Sequence, residues 1–420
     1  MRQIKIKGGN PLSGTVQIGG AKNSAVGLIP ASILAEDVCT ITNVPNISDR
    51  DALFEIIRLL NCKVEMDNEV VKIDSSAVKN VVIPEDLTTK LRASYYFMGL
   101  LLTKYKKVEM YLPGGCNIGS RPIDIHLKGF KALGANITHI EEEHKYIIEA
   151  EELKGARIKL DFASVGATIN IMFAAVLANG TTVIENAAKE TEIINIADYL
   201  NAMGANIKGA GTSTITIEGV TKLHGATIEV IPDRIEAGTY LLMGALLGEN
   251  FTVAGVNPNH ITSLLNKFKD MEIKYEIDGS NITINKVEHI KPINITTLVY
   301  PGFPTDLGQP ISVLLTQADG TSFFEETIYE NRMQHVKYLN MMGANIELKD
   351  HAHAIINGKT KLHGCEVNAT DLRGGGALVM AGLIAEGTTT ISNIEYILRG
   401  YEKIIKKLKT VGADIDIIEI

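Results

Sequence analysis

Leu133-Gly-Ala-Asn-Ile137 returns as Met203-Gly-Ala-Asn-Ile207, as Met342-Gly-Ala-Asn-Ile346 and once more as Val411-Gly-Ala-Asp-Ile415. Looser copies fill the gaps, Leu60-Asn-Cys-Lys-Val64 and Met271-Glu-Ile-Lys-Tyr275. Positions 61, 134, 204, 272, 343 and 412 are 68 to 73 residues apart, a spacing regular enough to read as six copies of one unit. Each unit holds a helix that is apolar around most of its circumference and polar where it opens: 22–29, 91–102, 164–177, 234–247, 305–315 and 371–384. Helices of that kind are buried on all sides. Their Gly and Ala content lets them approach closely, which suits a chain with no Trp and 5% aromatic residues.

Strands follow, as in Thr181–Glu185 and Thr388–Ser392, and then an amphipathic helix that ends at the repeated motif. In 192–203 the positions Ile193, Ile196, Ala197, Leu200 and Met203 form one stripe. Short strands over 223–230 and 362–367 complete the unit. The expected fold is α/β. Six such units exceed one domain, so a three-plus-three division is expected near Ile231-Pro232. No low-complexity linker marks that point, which predicts halves joined by more than one crossing.

A length of 420 residues, 45% hydrophobic and 21% charged, describes an ordinary globular protein. The net charge of −8 argues against a general binder of nucleic acid or membrane surfaces. The N-terminus lacks a signal-peptide apolar stretch, and the longest apolar runs, 171–178 and 240–247, fall short of a membrane span, so a cytoplasmic protein is expected. Four cysteines are too few for a disulfide framework, and no pair has metal-ligand spacing. Cys39, Cys62 and Cys365 sit in strand-like or helix-end contexts and read as structural thiols.

Cys116 differs. It lies in Tyr111-Leu-Pro-Gly-Gly-Cys-Asn-Ile-Gly-Ser-Arg-Pro122, where three Gly and two Pro exclude regular structure. A thiol close to the fixed charge of Arg121 is acidified and can serve as proton donor or nucleophile. Charged and polar residues also gather where the buried helices open: Lys22, Asn23, Arg92, Ser164, Arg234, Glu236, Asp306, Asp371 and Arg373. Taken singly, each is an ordinary cap or surface charge. Recurring at one place in successive units, and facing one another across two halves, they would make a cleft for a multiply anionic ligand. Gly358-Lys-Thr lacks the first Gly of a phosphate loop, and Gly209-Ala-Gly211 lacks the third Gly of a dinucleotide fingerprint. His351 and His353 alternate on an expected strand and are rejected as a metal pair.

In order and spacing, Lys22-Asn23, Pro113-Gly-Gly-Cys116, Arg121-Pro122, Ser164-Val-Gly166, Pro232-Asp-Arg-Ile-Glu236, Phe303-Pro-Thr-Asp306, Glu330-Asn-Arg332, Thr370-Asp-Leu-Arg373 and Arg399-Gly-Tyr-Glu402 resemble the UDP-N-acetylglucosamine enolpyruvyl transferases, across essentially the whole chain. The resemblance implies a two-domain inside-out α/β barrel of six repeats, helices inside and sheets outside. One three-repeat domain would be 22–231, carrying the Cys loop. The other would be 1–21 with 232–420, and the active site would lie in the cleft between them.

The implied reaction moves the enolpyruvyl group of phosphoenolpyruvate to the 3-hydroxyl of UDP-N-acetylglucosamine, releasing phosphate, as the first committed step of bacterial peptidoglycan synthesis. Cys116 resembles the family's proton donor, which forms an adduct with phosphoenolpyruvate and is alkylated by fosfomycin. Asp306 resembles the carboxylate that handles the sugar hydroxyl proton. Lys22, Arg92, Arg121 and Arg399 match the groups that meet phosphoenolpyruvate, with Lys22 and Arg399 also implied in catalysis. Asn23, Asp306 and Ile328 match sugar contacts. Arg121, Pro122, Ile123, Asp124 and Ile125, with Ser164, Val165 and Gly166, match uridine and diphosphate contacts. Phe162 stands where some members carry Lys. Arg332, Asp371 and Arg373 match further substrate-binding positions. The resemblance implies neither a metal nor an organic cofactor. The rivals are a transferase of the 5-enolpyruvylshikimate-3-phosphate synthase kind and a non-catalytic repeat protein that only binds.

Overall fold

A computed structural model describes residues 2–114 and 123–419. The six repeated positions have one conformation. Asn61, Gly134, Gly204, Glu272, Gly343 and Gly412 all have positive φ, between 64° and 103°. Each follows the last turn of a helix: Ser48–Leu59, Asp124–Ala132, Thr191–Ala202, Thr262–Asp270, His335–Met341 and Ile404–Thr410.

The next residue's N–H reaches back five positions to a helix carbonyl. These bonds are Cys62 to Ile57, Ala135 to Phe130, Ala205 to Leu200, Ile273 to Phe268, Ala344 to Leu339 and Ala413 to Leu408, at 2.8 to 3.2 Å. That is a left-handed helix terminator, for which Gly is the residue without a steric penalty and Asn the next best. Glu272 alone places an unsuited side chain there. The motif therefore recurs because one turn, from helix into the strand that follows, recurs.

Among the described residues the strands form six sheets, five of them in one order. A parallel edge strand joins a central strand, then two antiparallel strands follow. Arg157–Lys159, Thr181–Glu185, Thr214–Glu218 and Asn206–Lys208 are one example. The sixth sheet has Lys107–Tyr111, Lys145–Glu149 and Asn136–Ile140, with a single parallel bridge from Ile83 to Met110 where a fourth strand would stand. The strands expected over 223–230 and 362–367 are shorter, Thr227–Glu229 and Glu366–Asn368. Gly225 and Gly364 explain this. A Cβ at either would lie 2.2 to 2.4 Å from backbone atoms of Val38 or Thr388, so the chain passes too close to its neighbour there to form an ordinary ladder.

The chain separates into two compact units, one of residues 20–114 and 123–231, the other of 2–19 and 232–419. In the first, the helices Lys22–Ala31, Tyr96–Tyr105 and Val165–Ala175 are almost wholly buried. Tyr96–Tyr105 packs on Val165–Ala175 so closely that a Cβ at Gly99 would fall 2.4 Å from Asn170. Asn170 justifies its buried amide there by accepting from Gly99 N at 2.9 Å and donating to the Tyr95 carbonyl at 2.8 Å. In the second unit, Arg234–Leu247, Gly308–Leu315 and Leu372–Ile384 form the corresponding core.

The N-terminal segment belongs to that second unit. Arg2–Lys7 lies between Thr388–Ser392 and Asp414–Glu419, antiparallel to both, and Leu12–Gln17 runs parallel to Gly248–Ala254. The helix opening at Thr305 begins as a 3-10 turn, Thr305–Leu307. Pro310 has no N–H to give to the Asp306 carbonyl, so the α-helix starts at Gly308 and Asp306 stays on a tight turn.

Within the second unit Glu236 is buried, accepting from Gly19 N at 3.0 Å and from Lys407 Nζ at 2.6 Å. Burial pushes its carboxyl up to about 7; Lys407 opposes the shift and Asp233 adds to it. An acid whose folded pKa is raised stabilises the fold most below its unfolded pKa and loses that contribution as pH climbs through the folded one. The stability advantage of wild type over Glu236→Gln is therefore expected to fall by roughly 3 kcal/mol between pH 4.5 and 8, in urea titrations at each pH. A pH-independent difference would contradict it.

Candidate active site

In the first unit, Tyr95 gathers several of the residues singled out in the sequence. Ser164 caps Val165–Ala175, its hydroxyl accepting from Ala167 N at 3.3 Å, so the positive end of a buried helix opens there. A Cβ at Gly166 would lie 2.5 Å from the Tyr95 hydroxyl. Only Gly admits the phenol at this helix start. The Arg92 guanidinium stands 5.8 Å from the Tyr95 ring centre, and the buried His126 ring meets Tyr95 edge-on at 4.8 Å.

Asn170 donates to His126 Nδ1 at 3.1 Å. Burial, helped by the Arg92 charge, pushes the imidazole down to about 3. His126 is thus neutral, with Nδ1 accepting and the proton on Nε2. Ile123 is buried, Asp124 is exposed as the first residue of its helix, and Ile125 and Val165 are half-buried. Lys22 stands at another helix start, 2.8 Å from Asp49 Oδ2, with Asn23 half-buried beside it in sequence. Cys116, Arg121 and Pro122 lie outside the described residues. Burial raises the thiols of Cys39 and Cys365 and pushes Cys62 up to about 11, so none of these three is acidified.

The second unit centres on Asp306. Arg332 Nη2 donates to its Oδ1 at 2.7 Å, and Arg373 donates to its Oδ2 from Nη2 at 3.1 Å and Nε at 3.3 Å. Burial would raise the Asp306 carboxyl, but Arg373, Arg332 and Arg234 outweigh it and hold it well below the usual carboxylate range. Both buried guanidiniums are stabilised in their charged forms by the same carboxylate.

Asp371 caps Leu372–Ile384, its Oδ1 accepting from Arg373 N at 3.0 Å and Gly374 N at 3.1 Å, while Oδ2 accepts from Gln309 at 3.0 Å. The Glu326 carboxylate accepts from Ile328 N at 2.8 Å, Tyr329 N at 3.2 Å and the Thr305 hydroxyl at 2.8 Å, tying the Ile328 segment to the turn that carries Asp306. Arg399 is half-buried at the C-terminal end of the helix Glu395–Leu398. Phe162 is exposed.

Sequence reasoning missed Tyr95, His126, Asn170, Gln309 and Glu326. His126 adjoins the quoted stretch ending at Ile125, and a polar Asn170 in an apolar helix is a usable signal; the others carry none. Among the described residues no three or more His, Cys, Asp or Glu stand together as a metal site. No helix described is long and apolar enough to cross a membrane.

A family model described as EPSP synthase (3-phosphoshikimate 1-carboxyvinyltransferase) matches residues 6–408. The chain is 52% identical over 412 residues to UDP-N-acetylglucosamine 1-carboxyvinyltransferase 2 of Staphylococcus aureus strain MRSA252, covering 98% of each chain. It is 52% identical over 413 residues to the protein of the same name in Listeria monocytogenes strain EGD-e, covering 98% of this chain and 97% of that one. Its fold is similar to the crystal structure of the enolpyruvyl transferase NikO from Streptomyces tendae, with a TM-score of 0.90, 24% identity and 99% of both chains covered. It is also similar to EPSP synthase from Acinetobacter baumannii, with a TM-score of 0.76 at 21% identity over the full length of both.

Removing the Asp306 carboxylate strands two buried guanidiniums. Asp306→Ala is expected to lower the unfolding free energy by about 3 kcal/mol in urea denaturation at pH 7. An unchanged midpoint would show that the arginines do not depend on it.

Proposed function

The chain belongs to the enolpyruvyl transferase family and, within it, to the UDP-N-acetylglucosamine 1-carboxyvinyltransferases; on that premise we propose how its residues divide the work of transferring enolpyruvyl from phosphoenolpyruvate to the sugar 3-hydroxyl. Identity over nearly the full length of the relatives supports the acceptor, and the arginine-clamped Asp306 is the structural observation that carries the chemistry. The proposed place of the reaction is the first committed step of peptidoglycan synthesis, and with it cell-wall biogenesis, cell shape, the cell cycle and cell division. We also propose a cytoplasmic enzyme that is a target of fosfomycin, and the six-repeat inside-out barrel, with the site in the cleft between 22–231 and 1–21 with 232–420. The recurring sheet order and the shared helix terminator support the repeat.

The hydroxyl oxygen adds to C2 of phosphoenolpyruvate while a proton reaches C3. Phosphate then leaves as a proton is lost from C3, restoring the double bond. Cys116 is the proposed donor to C3. Lys22, Arg92, Arg121 and Arg399 are proposed to hold the carboxylate and phosphate and to stabilise charge moving onto the leaving group. Asp306 receives the hydroxyl. While two guanidiniums hold it, its oxygens are good hydrogen-bond acceptors but weak bases. It therefore orients the attacking oxygen and takes its proton only as the bond to C2 makes that hydroxyl strongly acidic.

Asn23 and Ile328 are proposed to line the sugar, with Arg332, Asp371 and Arg373 behind it. Arg121, Pro122, Ile123, Asp124 and Ile125 are proposed to meet the uridine. Ser164, Val165 and Gly166 offer the diphosphate the positive end of a buried helix. No nucleic acid or membrane enters the reading.

Replacing the proton donor should remove the chemistry and spare the fold. Cys116→Ala is expected to cut phosphate release from phosphoenolpyruvate plus UDP-N-acetylglucosamine by about 100-fold or more, with an unchanged melting temperature. Wild-type release from that variant would overturn the role.

A further inference from the structure

Leu372–Ile384 opens with three successive glycines, which are poor helix formers, so their presence needs a reason. The structure supplies one. A Cβ at Gly375 would lie 2.5 Å from the Ile397 side chain, and one at Gly376 would lie 2.7 Å from the Tyr401 ring. The helix is therefore seated directly on Tyr401, which is 1% exposed.

One turn earlier on the same helix is Arg373, whose guanidinium carbon stands 5.3 Å from the Tyr401 ring centre. The phenol is itself fixed. Its hydroxyl is 3.2 Å from Thr239 Oγ1, and Thr239 spends its own proton on the Ile235 carbonyl at 2.8 Å, so Tyr401 donates to Thr239. The ring comes from the turn between Glu395–Leu398 and Ile404–Thr410 and is held against Gly376 of Leu372–Ile384 and Thr239 of Arg234–Leu247. A planar cation against an aromatic ring has a preferred orientation, and that orientation decides whether Nε and Nη2 can both reach one carboxylate oxygen.

We propose that Tyr401 is a positioning residue, its ring the platform that holds the Arg373 guanidinium on Asp306, with the glycine run admitting the ring beneath the helix. The inference rests on the functional reading only for its effect on turnover; the positioning itself can be observed without substrate.

Hydrogen exchange of the Arg373 Nε–H, assigned by its loss in Arg373→Lys, is measured by 15N NMR on the intact protein. In Tyr401→Leu the exchange is expected to quicken roughly tenfold and kcat/KM to fall by a similar factor, whereas Tyr401→Phe, which keeps the ring and loses only the hydroxyl's interaction with the guanidinium, quickens exchange by about threefold at most and keeps most of the turnover. Should Tyr401→Leu not fold, Tyr401→Met carries the same comparison. Slow exchange retained in the ring-less variant, with only a lower melting temperature, would overturn the proposal, as would Tyr401→Phe behaving like Tyr401→Leu. Absence of turnover in the wild type with UDP-N-acetylglucosamine would count against the functional reading alone, since the exchange comparison stands without it.

Discussion

A carboxylate pinned between guanidiniums from separate segments is the constraint that organises the second unit's site. Asp306 reaches its place from a tight turn enforced by Pro310, Arg332 from the loop before His335–Met341, and Arg373 from the first turn of Leu372–Ile384. The two guanidiniums are buried and would be costly alone, and the half-buried Asp306 carboxylate offsets their charge. The supporting bonds follow from that requirement. Asp371 fixes the helix start that carries Arg373, Gln309 bridges Asp371 to the Arg332 carbonyl at 3.2 Å, and Glu326 fixes the turn. The same cluster sets Arg234, Arg332 and Arg373 among Asp306, Asp371, Asp233 and Glu326, so its buried charges compensate one another.

The first unit meets a different requirement. Its helix start at Ser164 offers backbone N–H groups rather than a clamped ion, with Tyr95, His126 and the Arg92 guanidinium around it. Tyr95 fits only because residue 166 is Gly, and His126 stays uncharged because it is buried beside Arg92. A neutral imidazole with its proton fixed on one nitrogen is a directional donor, which suits recognition more than proton transfer at neutral pH.

Much of the architecture was legible because one backbone conformation has a narrow chemistry. Positive φ after a helix selects Gly, so Gly134, Gly204, Gly343 and Gly412 announce the repeat, and Asn61 and Glu272 could be placed by spacing although they break the pattern. Sheet partners were less legible. Nothing local says that Arg2–Lys7 pairs with Asp414–Glu419 at the other end of the chain. Alternation over 223–230 and 362–367 reports a longer pleated strand than forms, because close backbone approach at Gly225 and Gly364 is a tertiary fact. Among site residues, Asp306, Arg373 and Asp371 stood out as charges at the mouths of apolar helices. Tyr401 stood inside a quoted motif without a role, since its role is visible only once the ring is found against Arg373.

The acceptor of the enolpyruvyl group defines the enzyme. Offering the purified protein phosphoenolpyruvate with equal amounts of UDP-N-acetylglucosamine and shikimate 3-phosphate, and following the products by 31P NMR, decides it directly. The account predicts inorganic phosphate in step with loss of UDP-N-acetylglucosamine, and shikimate 3-phosphate left intact. Consumption of shikimate 3-phosphate instead, or no phosphate from either, would contradict it.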